Sequence, residues 1–175
     1  MKGIRMSFFL TCLLAIALSV PVSASHAAQE TSATVKGGWL VAVFPLENLA
    51  ASEDTKGLGE EIAATLTDGF GRSGKVRVVE RARLEKIMEE LKLGTSGLTD
   101  EQSVIRAGRL LGANALVLGS VLKFGDSLKI NVRVVKTETG EILSTGKVAG
   151  KFSRLPDLEE KLMTVLLPRL HSQIP

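Results

Sequence analysis

The chain has 175 residues, with 22 Lys and Arg against 19 Asp and Glu and a formal net charge of +3. Two of the bases lie in the first 27 residues, which hold no acid, so the remainder balances at 20 against 19, a net +1. That balance argues against a nucleic-acid binder, which needs a concentrated basic face. The single cysteine, Cys12, lies in the same first segment and leaves the rest without a disulfide, a thiolate metal site or a cysteine nucleophile.

Lys2 and Arg5 precede an apolar stretch from Phe8 to Val20, and Val22-Ser23-Ala24 or Ser25-His26-Ala27 supplies small residues for cleavage. The pattern predicts a secretory signal peptide over residues 1–27 and export to the periplasm. The stretch is shorter than the roughly 20 apolar residues of a spanning helix and ends at Pro21, so no transmembrane segment is expected after cleavage. Cys12 sits inside the stretch and not at its end, where a lipidated cysteine belongs. Residues 28–38 are small and polar and predict a flexible tether. One domain follows, residues 39–172, sized for a single core that Leu, Ile, Val and Ala must fill because aromatic residues are few.

Residues 39–46 are apolar on both faces, which predicts a strand covered by helices on both sides, with Pro45 marking its exit. Residues 48–55 read as loop. Leu58, Ile62, Leu66 and Phe70 recur at helical spacing, and Gly69, Gly71 and Gly74 are expected to end that helix. Val76-Arg77-Val78-Val79 is a β-branched run that leads into Leu84, Ile87, Met88 and Leu91 at i, i+3, i+4, i+7. The basic residues between Lys75 and Lys92 alternate with Glu80, Glu85, Glu89 and Glu90, the pattern of a solvated helix face. After a connector over 93–98, Thr99-Asp100-Glu101-Gln102 fits a capping box with Thr99 as the cap. The helix it opens carries Val104, Ile105, Gly108 and Leu111 on one face and closes at Gly112.

Residues 115–119 read as a buried strand. A turn at Phe124-Gly125-Asp126-Ser127 precedes Leu128, Ile130, Val132 and Val134, which alternate with Lys129, Asn131 and Arg133. Thr137-Glu138-Thr139-Gly140 is a second turn, and residues 142–148 form a more polar strand nearer the sheet edge. Leu155, Leu158, Leu162, Val165 and Leu166 define a last helix, started near Pro156-Asp157 and stopped by Pro168. The fold class is α/β (α+β): a single mixed sheet packed by helices in the order β-α-β-α-α-β-β-β-α.

At Val78-Val79-Glu80-Arg81, Leu84, Ile87 and Glu90, and then at Gly108-Arg109-Leu110-Leu111-Gly112-Ala113-Asn114 leading into Leu118-Gly119-Ser120-Val121, the sequence resembles the CsgG family. These are bacterial envelope proteins, with relatives of TolB-N-terminal-like α/β fold. The opening Val41-Ala42-Val43-Phe44 strand and the Glu138-Thr139-Gly140-Glu141-Ile142 turn are also similar, so the resemblance runs from Leu40 to Gly150. It implies a non-catalytic envelope protein that acts in assembly or secretion of surface structures through protein contacts, including self-association. The alternative it implies is a regulatory module like the LpoB-type activators of peptidoglycan synthases, or a flagellar-associated protein of FlgO type. Envelope proteins are the implied partners, and peripheral outer-membrane association is compatible with the resemblance. The missing lipid-attachment cysteine departs from lipid-anchored relatives. Residues 128–148 are too charged and too dilute in apolar residues for the lipid-facing hairpin of a pore.

No catalytic, cofactor-binding or metal-binding residue is expected, and the chain does not read as an enzyme. Gly69-Phe70-Gly71-Arg72-Ser73-Gly74 spells G-x-G-x-x-G but follows a helix and precedes a strand, the reverse of a phosphate cradle. His171 is the one histidine after the leader, where a cationic ring would complement a helix dipole. Ser96 has no neighbouring base. The Glu53-Asp54 and Glu60-Glu61 pairs sit before and within a helix's opening turn. Glu80-Arg81 reads as a cap and ion pair that fixes how the helix leaves the sheet, with a partner contact as the alternative. Leu84, Gly108, Gly112, Ala113 and Gly119 complete the family motif, and Gly108, Gly112 and Ala113 read as close-packing positions.

Overall fold

The computed structural model describes residues 38–50, 52–94 and 100–173. The expected signal peptide and all of the tether but Gly38, together with Ser96 and Thr99, lie outside the described residues. Six strands and four α-helices follow one another as β1 (Trp39–Val43), β2 (Glu47–Asn48), α1 (Leu58–Arg72), β3 (Val76–Val78), α2 (Arg81–Glu90), α3 (Glu101–Leu111), β4 (Ala115–Phe124), β5 (Ser127–Lys136), β6 (Ile142–Lys151) and α4 (Leu155–His171). They form one mixed sheet in the order β3-β1-β4-β5-β6. β3, β1 and β4 are parallel neighbours, and β4, β5 and β6 form an antiparallel meander.

The apolar run at 39–46 makes two strands instead of one. Val43 pairs with Val117, yet Glu47 pairs with Ser120, so four steps on one strand face three on the other. The extra residue falls at Pro45, which has no N–H for the ladder. Leu46 is thereby tucked under α1, where its N–H donates to the Gly59 carbonyl at 3.2 Å. A Cβ at Gly59 would strike the Leu46 carbonyl oxygen, so the first turn of α1 needs glycine for this approach. The buried Thr55 hydroxyl accepts from Asn48 Nδ2 at 2.8 Å and from the Ser52 amide at 3.0 Å, tying the residues before α1 to β2.

The alternating strand residues feed two cores. On one face Val41, Val43, Val117, Ile130, Val132 and Val134 meet α1 and α4 through Ile62, Leu66, Phe70, Leu158, Leu162 and Leu166. On the other face Ala42, Phe44, Leu116, Leu118 and Val135 meet α2 and α3 through Leu84, Val104, Ala107 and Leu111. This second helical layer reaches no farther across the meander than Val135.

Three helix ends differ from the sequence pattern. α1 runs through Gly69 and Gly71 to Arg72, because Leu66 and Phe70 remain fully buried to its end. α4 continues past Pro168 to His171: burial of Leu166 and Leu170 holds the last turn although the proline removes one backbone hydrogen bond. Val165 lies 36% exposed on that helix, outside the core stripe. The cap of α3 is Asp100, whose carboxylate accepts from the Ser103 amide at 3.2 Å, so Ser103 and not Gln102 holds the third helical position. Gly112 closes α3 at φ 67°, as the sequence predicts.

Candidate functional site

Two surfaces gather polar and charged side chains around or beside residues of the cores. The first is a crevice of about 200 Å³ between α1 and α2 at the carboxyl ends of β1 and β3, lined by Val43, Pro45, Ala63, Thr67, Val79 and Leu84. Asp68 and Glu60 from α1 and Arg81 and Glu85 from α2 stand around it. Arg81 Nε donates to Glu85 Oε1 at 2.7 Å. Both side chains are well exposed, so the pair is worth under about 1 kcal/mol.

The second surface is the open half of the sheet. Strand register arranges it in rows: Leu118–Arg133–Thr145, Ser120–Asn131–Lys147, Leu122–Lys129–Ala149 and Phe124–Ser127–Lys151, each running across β4, β5 and β6. Each row carries one cation, alternately from β5 and β6. Glu47 joins the second row through β2 and is its only acid. No ion pair engages Arg133, Lys147, Lys129 or Lys151 among the described residues. A recess of about 510 Å³ opens where the helical layer stops, between Pro45, Glu47, Ser120, Asn131, Arg133 and Lys147. At the other end Phe124 is 85% exposed. Gly125 at φ 58° makes the two-residue turn behind it.

The titrating groups with shifted equilibria lie away from both surfaces. Burial raises the Glu159 carboxyl above the usual carboxylate range, a hydrogen bond from Thr65 lowers it in part, and Glu61 adds repulsion. Burial, with Lys75 nearby, lowers the His171 imidazole. That corrects the expected cationic ring: the residue ends α4 as predicted, but desolvation disfavours its charged form. Hydrogen bonds from Ser103 hold Asp100 below the usual range. No group of three or more metal-ligating side chains exists among the described residues.

The motif residues divide between these places. Glu80 precedes α2 in extended conformation and makes no side-chain cap; its carbonyl, not its carboxylate, serves the first turn by accepting from the Arg83 and Leu84 amides. The expected Glu80–Arg81 ion pair is replaced by Arg81–Glu85, since residues four apart on a helix face each other and a residue outside the helix does not. Leu84 is buried in the second core. Gly108 is a close-packing position: an added Cβ would lie 2.5 Å from Leu116 Cδ2. Gly112 is not one, having open space around it and needing glycine only for its positive φ. Ala113 is buried in the second core. A Cβ at Gly119 would strike the Asn131 carbonyl oxygen. Asn114, also in the motif, ties α3 to the sheet: its Oδ1 accepts from the Leu40 amide at 2.8 Å. The glycine-rich stretch occupies the C-terminal turn of α1 and the link to β3, so carbonyls and not free amides point from that helix end. The rows of cations were only half visible in the sequence, where alternation marks Lys129 and Arg133 but nothing pairs them with Lys147 and Lys151.

A family model described as curli production assembly/transport component CsgG matches residues 23–129, more than half of the chain. The match ends within β5, short of Gly150. No curated protein sequence matches the chain. Among solved structures, the LpoB C-terminal domain from Salmonella enterica is 20% identical at a TM-score of 0.52, over 66% of this chain and 84% of that one. The NMR structure of E. coli LpoB is 22% identical at a TM-score of 0.55, over 65% of this chain and 56% of that one. Lipoprotein GNA1162 from Neisseria meningitidis is 17% identical at a TM-score of 0.51, over 64% of this chain and 79% of that one. At these identities the likeness is one of fold.

Proposed function

The chain belongs to the CsgG family, and from that premise we propose that it is a non-catalytic envelope protein that works in assembly or secretion of surface structures by binding other proteins. The observation that carries this reading is the uncovered half of the sheet. Three strands of ten residues each present one face to α4, while among the described residues the other face carries no helix beyond Val135. Parallel sheets are covered on both faces, whereas an antiparallel sheet commonly leaves one face to solvent, so an open meander face is available for contact without disturbing the fold. Here the parallel half is covered and the meander face is open, with four cations that no ion pair engages among the described residues.

A second reading, a regulatory module that docks as a monomer on one envelope enzyme, draws on the likeness of fold to the LpoB C-terminal domain. Both readings place the protein in the periplasm and require no helix that spans the membrane. No helix among the described residues is long and apolar enough to do so. Light scattering on the purified protein in detergent-free buffer separates them. A defined, ring-sized oligomer is expected for the assembly role, and a clean monomer at all concentrations would shift the function to the docking module.

A further inference from the structure

The open face has a charge pattern that solvation alone does not explain. On a water-facing sheet, cross-strand charges of opposite sign stabilise one another, and like charges repel most when directly opposite. Here Arg133, Lys147, Lys129 and Lys151 form a zigzag of one sign, each a diagonal neighbour of the next. Lysines on an edge strand deter edge-to-edge pairing, which would account for Lys147 and Lys151 on β6. It does not account for Arg133 and Lys129 on the interior strand β5.

Successive rows are two residues apart along the strand, roughly 7 Å, which is also the spacing of same-side residues in an extended peptide. Four cations therefore cover roughly 20 Å at the period with which a strand presents its side chains. The fit extends to polarity. Leu122 shares a row with Lys129, and the exposed Phe124 shares a row with Lys151, so apolar surface continues the cationic track at one end. A purely anionic polymer gains nothing from Leu122 and Phe124, whereas a protein segment can present both carboxylates and an apolar side chain.

We propose that the open face of β4, β5 and β6 binds an extended, acidic segment of a partner protein, with carboxylates at alternate positions over Arg133, Lys147, Lys129 and Lys151 and an apolar side chain against Leu122 and Phe124. This rests on the reading that the chain acts through protein contacts, and it specifies the chemistry of the contact. Arg133 supplies a planar fork for one carboxylate beside the recess, and the three lysines supply point charges.

The test uses isotope-labelled protein expressed from the full 175-residue sequence. It is titrated with a synthetic peptide of about nine residues, with glutamate at alternate positions and phenylalanine at one end, a length that spans the track. Amide shifts are expected to concentrate in β4, β5 and β6. Affinity is expected to fall at least about tenfold in R133Q/K147Q, and similarly in K129Q/K151Q, while R81Q/R83Q binds as the wild type does. The two glutamine pairs are independent, so a folding defect in one leaves the other to decide. Shifts centred on α1 and α2 overturn the proposal. So does unchanged affinity in a variant that melts like the wild type, and so does inorganic polyphosphate binding as tightly as the peptide. A native partner captured equally by wild type and R133Q/K147Q overturns this inference and leaves the protein-contact function standing; a wild type that captures none removes both.

Discussion

The parallel half of the sheet and its antiparallel meander are built to different rules from the same kinds of residue. β1 and the first half of β4 are buried on both faces, so consecutive residues such as Val41-Ala42-Val43-Phe44 are all apolar and feed two cores in alternation. From Ser127 to Val134, β5 is buried on one face and its residues alternate between core and solvent; only Val135, at its far end, joins the second core. Stability is thus concentrated in the half where each strand serves two layers. The meander, held on one side by α4, has surface to spare, and in it charge can be placed for contact without disturbing a core. The proposed binding role is served by that division, since charge on the open face can change without repacking the scaffold.

The sharpest way to break this comparison is to carve the doubly covered half. Phe44→Ala should cost about 3–5 kcal/mol, because a fully buried aromatic leaves a cavity between β1 and the α2–α3 layer. Urea denaturation monitored by circular dichroism measures it, and a cost below about 1 kcal/mol would mean that the second layer is not a real core. Next come two glycines that look alike in sequence. Gly112→Ala should cost about 1–2 kcal/mol through the positive φ at the end of α3. Gly71→Ala, in the exposed last turn of α1 with open space around it, should gain up to about 0.5–1 kcal/mol.

Glu159→Gln probes α4 where it meets α1. An acid whose folded pKa lies above its unfolded value binds protons better when folded, so its contribution favours the fold at low pH and is lost as pH rises through the folded value. The glutamine variant should therefore melt at the same temperature as the wild type in acid and slightly higher at neutral pH, in thermal scans across that range. A variant that is less stable at neutral pH would mean that Glu159 is ionised with a favourable partner. The smallest effect is expected on the open face, where R133Q/K147Q should change stability by no more than about 0.5 kcal/mol. A larger loss would assign those cations to the fold and weaken their use for binding.

Much of the fold was legible because its signals are local. The 3.6-residue spacing of Leu58, Ile62, Leu66 and Phe70 and the period of two through Leu128, Ile130, Val132 and Val134 describe faces that the structure buries. The helix ends were less legible, since Pro168 and Gly71 oppose helix by intrinsic preference while the burial of their neighbours decides in its favour. At the candidate site the family motif was readable, but its chemistry was not. Arg81 was assigned to Glu80 by adjacency and found Glu85 by helical geometry.

The sequence by itself determined the element order, most of the stripe that each helix buries and the alternation through Leu128, Ile130, Val132 and Val134, because these follow from side-chain direction along one stretch of backbone. Only the tertiary structure decided that Pro45 would split one strand in two, that α2 and α3 would stop at Val135, and that cations some 14 to 22 residues apart in the chain would meet in adjacent rows. Those outcomes depend on register between distant strands and on how far a helical layer extends, and neither quantity is written in any local window of sequence.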